Sequence, residues 1–285
     1  MNKKLVVKPS GIGGQAVLEG VMMKNRDRYA VAVRKPDGEI EVEKGHCQSL
    51  RDKYFVCDLP IIRGVVTFVE SLVLGMKSLT DSSKYYEDEE EENRQQMDDA
   101  AKERHEKIET TFTVILSIVL AVGIFMVLPF FISELLKSII KSAKVLAVIE
   151  GIIRIILFIG YVFAISFVED IKRVFMYHGA EHKTINCVEH MLPLTVENVR
   201  KQSREHKRCG TSFIFIVLFI SIIFFIFIRV DNMWLKVLYR IVLVPVIAGV
   251  SYEFIRLAGK SENALVNILS KPGMMLQKLT TKEPD

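Results

Sequence analysis

The sequence is poor in cysteine, with four in 285 residues. Cys47, Cys57, Cys187 and Cys209 do not have the spacing of a disulfide framework, so they read as reduced, cytosolic thiols. No apolar run with a cleavage site follows the basic N-terminus, so no signal peptide is expected. Net charge is only +4. The acidic run at 87–92 interrupts any basic surface, which argues against nucleic acid as a partner. The glycines of Gly11-Ile12-Gly13-Gly14 could bring backbone amides to a phosphate. No Lys-Ser/Thr pair follows and no clear strand precedes them, which argues against a nucleotide loop.

What is abundant is apolar residues, 50% of the chain, beside 25% charged residues. The two are segregated: 1–110 and 170–209 are polar, and most of the rest is long apolar runs. A helix needs about 20 apolar residues to cross a bilayer. Residues 111–132 and 210–228 are clean spans. Residues 145–168 carry Glu150 and Arg154, four apart, which either pair on a helix or sit at the interface with Arg154 snorkelling outward. Residues 235–254 carry Arg240 and Glu253 near the two ends, with Trp234 and Tyr239 as interface anchors. Eight lysines and arginines fall between 170 and 209, three between 133 and 144, and two between 229 and 236. The positive-inside rule then places 169–209 and both termini in the cytoplasm. The expected fold is mainly α: a polytopic membrane protein with four transmembrane helices, an N-terminal β-rich cytoplasmic unit and amphipathic interfacial helices.

The unit at 1–60 is β-rich because weak alternation at 29–34 and 39–44 flanks the turn signal Pro36-Asp37-Gly38. Glu19, an acid in an apolar, glycine-bracketed stretch, is kept as a site candidate. Residues 61–80 carry Arg63, Glu70 and Lys77 seven apart, on one face of an amphipathic helix that packs against a domain or lies on a surface, here expected at the inner leaflet, with a re-entrant or spanning segment as the minor alternative. Residues 81–110 read as a charged linker or helix. The cytoplasmic segment 255–285 ends with a turn at Pro272-Gly273 into a short amphipathic helix.

The strongest constellation is His178-Gly179-Ala180-Glu181-His182. On a helix the two histidines are one turn apart and can share a metal, with Glu181 as general base, the order of the inverted zinc-protease motif. A divalent metal, zinc by this donor set, lowers the pKa of water towards 7. His206 and Cys209, at the end of the same segment, complete a candidate ligand set. Glu189, His190, Glu197 and Glu253 are weaker candidates at the same membrane face. Four ligands close the shell and make the site structural; three leave a position for water. The plainer alternative is interfacial histidines with ordinary hydrogen bonds. Glu253 also has a local partner, Arg256, three residues on.

Gly13–Met23, Leu59-Pro60 with Arg63-Gly64, Tyr177–Ile185, Leu194–Arg200 and His206 with Arg208–Phe213 resemble the YqhQ family of bacterial membrane proteins, across nearly the whole chain. The resemblance implies a bacterial inner-membrane location and a metal-dependent enzyme whose motif positions are His178, Glu181, His182, His206 and Cys209. Two functions follow as expectations. One is a metal-dependent hydrolase at the cytoplasmic face, in contact with the lipid bilayer and acting on a lipid-linked or membrane-protein substrate. The other is a non-enzymatic scaffold or assembly factor with a structural metal or histidine cluster. A transporter fits less well, since four spans with few charges give little polar pathway unless the chain forms an oligomer.

Overall fold

A computed structural model describes residues 10–86, 99–228, 230, 232–259 and 263–285. The acidic run at 87–92 lies outside the described residues.

Four antiparallel strands open the fold in sequential order: β1 (Ile12–Val17), β2 (Gly20–Asn25), β3 (Arg28–Arg34) and β4 (Ile40–His46). Gly38, at φ 87°, closes the β3–β4 turn in a conformation that suits glycine. Val17, Met22, Val31 and Val33 put their alternate side chains on one face, against Leu74. A short helix α1 (Leu50–Lys53) and one 3-10 turn lead into α2 (Ile62–Ser83).

The charged stripe of α2 binds the protein itself. Arg63 grips Glu253. Glu70 accepts from Ser49 and from the N–H of Leu50 at the start of α1, where a helix N-terminus favours negative charge. Lys77 reaches Tyr29. Val69, Leu72, Val73 and Met76 of the same helix are exposed. Gly64 lets α2 cross the helix that carries Gly249, because a side chain at Gly64 would meet that backbone at 2.9 Å.

The remaining helices are α3 (Asp99–Val122), continued through a π turn at Gly123–Val127 into α4 (Leu128–Leu135); α5 (Ala143–Ile165); α6 (Glu169–Glu189); α7 (Val196–Arg200); α8 (Gly210–Ile226); α9 (Met233–Ala258); and α10 (Ala264–Thr280). Among the described residues three segments are long and apolar enough to cross a membrane: Ile108–Ser138, Ala143–Ile165 and Met233–Ala258. The fourth expected span forms a shorter apolar helix, 17 residues in α8. Ile118, Val119, Ile156 and Val242 on these helices are exposed, as lipid-facing side chains are. The chain is thus mainly helical with a small N-terminal sheet, and its apolar helices fit a bilayer.

Of the two arrangements expected for Glu150 and Arg154, the structure shows the pair and not the snorkel, and Arg240 is buried with them. Arg154 donates to Glu150 at 2.7 Å, to Ser221 at 2.8 Å and to the Phe125 carbonyl at 2.8 Å. That carbonyl is available because Pro129, four residues later, has no N–H to offer it. Arg240 donates to both oxygens of Glu150, from Nε to the Oε1 shared with Arg154 at 3.0 Å and from Nη2 to Oε2 at 2.5 Å.

Candidate metal centre

The motif helix is α6. Its first turn carries Glu169 and Asp170, acids that suit the positive end of a helix. Residues 178 and 182 therefore share a face, and their rings stand 4.4 Å apart between centroids.

Each imidazole is oriented by a backbone carbonyl. Nδ1 of His178 lies 2.8 Å from the Thr280 carbonyl oxygen. Nδ1 of His182 is bonded to the Arg204 carbonyl oxygen. A carbonyl only accepts, so each neutral ring donates from Nδ1 and keeps a lone pair on Nε2. This is the carbonyl support that metal-bound histidines use. Cys209 supplies the third donor. It caps α8, accepting from the Thr211 N–H at 3.3 Å, and its sulfur is 3.3 Å from Nε2 of His178. The candidate ligand atoms of His178, His182 and Cys209 all lie within 4.8 Å of one another. Ligands of a tetrahedral zinc with bonds of about 2.0–2.3 Å stand about 3.3–3.8 Å apart, so two nitrogens and a sulfur with this spread have the chemistry for such an ion and come within about 1 Å of its spacing.

Glu181 is 4% exposed. Among the described residues it accepts no hydrogen bond; Nε2 of His178 is 4.0 Å away. Burial pushes its carboxyl up to about 7, against the pull of His178. Gly14 of β1 packs directly on it: a Cβ there would stand 2.7 Å from Oε1. Only glycine lets the strand run this close.

His206 stands apart from the three converging donors. Its Nε2 faces Glu189 at 3.3 Å, and its N–H and carbonyl are both bonded to Gln277. Glu189 also accepts from Ser10 and Arg208. Burial opposes its ionisation, but His206, the Ser10 N–H and Arg208 outweigh this and hold it at about 2. Glu253 does not reach the centre, because Arg63 holds it. Glu197 pairs with Lys201 at the surface, and His190 with Gln202. Glu19, in the β1–β2 turn at φ 46°, is clasped by Arg173 and Tyr177 of α6. It ties the sheet to the motif helix.

Gln277 and Thr280 were not expected here. Gln277 is fully buried and also donates to Ser212 at 2.7 Å. Helix α10 packs on α8 and delivers the carbonyl that orients His178. The centre opens into a cavity of about 580 Å³ walled by α2, β1, α6 and the start of α8. Its walls are largely apolar, with Phe68, Leu72, Phe175 and Phe213 among them.

These features define a class: a helical protein with membrane-type apolar helices, a small N-terminal sheet, and a largely buried His-His-Cys group beside a carboxylate that accepts no hydrogen bond among the described residues. The family described as "Protein of unknown function (DUF1385)" matches residues 59–285. The chain is 37% identical over 279 residues to "Uncharacterized protein YqhQ" of Bacillus subtilis (strain 168), covering 97% of this chain and 88% of that protein. The chain belongs to this family. No solved structure matches it.

Proposed function

We propose that this chain is a metal-dependent hydrolase of the bacterial inner membrane, with its centre at the cytoplasmic face and a lipid-linked or membrane-protein substrate. In this reading α8 is a fourth span. Its 17 residues reach about 25 Å at 1.5 Å per residue, near the hydrocarbon thickness. The lysine and arginine excess at 169–209 puts α6 and both termini inside. Helix α2 lies in the inner interface, with its apolar face exposed and its charges turned to the protein.

One observation carries the reading: three donors converge and an unpaired, buried carboxylate stands beside them. His178, His182 and Cys209 would hold a divalent metal, zinc by its preference for nitrogen and sulfur. When bound, it supplies Lewis acidity and acidifies water. Three protein ligands leave one position open. Glu181 is placed to take a proton from water and return it to a leaving group. The Thr280 and Arg204 carbonyls keep both rings in register, and the apolar walls limit access of bulk water.

Metal analysis of the purified chain tests this. We expect about one zinc per chain, lost in His182→Ala and kept in Glu181→Gln. A chain that takes up no metal on titration ends the proposal. The scaffold alternative fares better if Glu181→Gln retains full function in cells.

A further inference from the structure

We propose that the free edge of β1 binds an extended polypeptide, which joins the sheet as a fifth strand across the candidate centre. This deepens the hydrolytic reading above and rests on it for the chemistry, but not for the binding.

The register decides which groups are free. The β1–β2 turn has two residues, Leu18 and Glu19, so Val17 and Gly20 form the closing hydrogen-bonded pair. Alternation then turns Gly13, Gln15 and Val17 towards β2. The β2–β3 register agrees: Asn25 and Arg28 close a two-residue turn, which commits Asn25, Met23 and Val21 to β3 and leaves Lys24, Met22 and Gly20 for β1. Ile12, Gly14 and Ala16 therefore face away from the sheet. The Ile12 N–H is met by Ser10. Among the described residues, no group outside the sheet bonds to the backbone of Gly14 or Ala16.

The two edges of the sheet differ. Outer strand β4 carries Glu41, Glu43 and Lys44, the charges that guard an edge against pairing. β1 reads Ile-Gly-Gly-Gln-Ala-Val, with no charge and no proline. An unguarded edge is a liability unless pairing is its use. Residues 12–16 line the cavity together with His178, Glu181 and Cys209. Gly13 and Gly14 are exposed. A side chain at Gly13 would meet nothing within 4 Å, and one at Gly14 would strike Glu181. The edge thus passes directly over the carboxylate with no side chain between them.

A ladder of N–H and C=O groups at strand spacing matches another extended backbone. A lipid tail offers it no partner. Phe68, Leu72 and Phe213 give apolar seats for alternate side chains. In amide hydrolysis here, water's oxygen bonds to the peptide carbonyl carbon and the C–N bond breaks. The proton that water loses passes through Glu181 to the departing nitrogen. A carboxylic acid and an amine result, and no oxidant is needed.

The test uses the full chain in detergent, as the Glu181→Gln variant so that the probe stays whole. The probe is fluorescein-labelled casein, an unfolded polypeptide, read by anisotropy with and without zinc. Ala16→Pro removes one edge N–H but none that bonds to β2, a position where strands tolerate proline. We expect casein to bind, and Ala16→Pro to weaken it by about tenfold, roughly the net worth of one or two hydrogen bonds, with zinc content unchanged. Absence of casein binding, binding untouched by Ala16→Pro, or displacement of casein by phosphatidylglycerol vesicles overturns the proposal. If Ala16→Pro does not fold, hydrogen exchange replaces it: casein must slow exchange at Gly14 and Ala16, and unchanged exchange is a refutation. Casein binding in a chain that takes up no zinc keeps the edge and removes the hydrolase. Zinc uptake without casein binding does the reverse.

Discussion

Glu150 and Glu181 are buried alike, 2% and 4% exposed, and are matched in opposite ways. Glu150, between α5 and α9, is gripped by Arg154 and Arg240. Both guanidinium groups also stack on Phe225, and Arg240 stacks on Phe130 at 4.5 Å. The rings help carry the excess positive charge where both guanidinium groups are buried. Within this cluster Nη1 of Arg240 is left without a hydrogen-bond partner among the described residues, as is the buried Oγ of Ser78 in α2. Among the described residues Glu181 accepts no hydrogen bond, and its nearest ionisable neighbour is the His178 ring, 4.0 Å away. A cluster that answers its charges holds helices together. A cluster that leaves a carboxylate unanswered pays in stability for a group free to move protons.

The contrast breaks most readily at Glu150. Glu150→Gln keeps the shape but leaves two arginines without their anion, and should cost about 3–5 kcal/mol. The thermal midpoint in detergent is the measurement. A midpoint near wild type would make the bundle cluster as dispensable as a surface pair. Replacing all three charges with Leu or Met should recover most of the loss, because no buried charge is then left alone.

Such pairings mark what the sequence discloses. The His178/His182 spacing is local, and helical geometry turns it into proximity. The β3–β4 turn is local too, signalled by Pro36-Asp37-Gly38. The β1–β2 turn is harder to see, since Leu18-Glu19 is not turn chemistry, and Glu19 takes positive φ with its side chain held by Arg173 from a distant helix. Glu150 and Arg240 are 90 residues apart, and Arg63 and Glu253 190. No spacing rule links them, so Arg63 could not be read as the partner of Glu253; the local partner that spacing does give, Arg256, is in reach at 3.7 Å. A charge inside an apolar run was the legible signal, without its address. Gln277 gave less: a lone amide near the end of the chain, whose meaning exists only once α10 docks on α8.

Glu189 is the intermediate case, a buried carboxylate answered by His206, Arg208 and the Ser10 N–H. Its carboxyl is held at about 2, below the unfolded value of about 4.3. The stabilisation is therefore complete above about pH 4.3 and disappears as pH falls towards 2. On the order of 2–3 kcal/mol should be lost over that window. Acid titration of the thermal midpoint checks it. Glu189→Gln should start less stable and show a shallower slope below about pH 4.3; an unchanged slope would mean that these contacts do not persist in solution.

The smallest effect belongs to Glu181. Glu181→Gln removes a charge that burial disfavours and that the His178 ring, 4.0 Å away, only partly offsets, so folding should lose little or nothing. A midpoint equal to wild type, or higher by up to about 1 kcal/mol of stability, is expected for the metal-free chain. The amide fits the same space beside Gly14, where the contact is to backbone rather than to a partner group. The same variant should abolish hydrolysis while zinc content stays whole, since Gln cannot take a proton. A large destabilisation would show that the Glu181 carboxylate is answered after all, by a donor that holds it as the arginines hold Glu150. The centre would then be a second structural cluster, and its unpaired appearance would lose its chemical meaning.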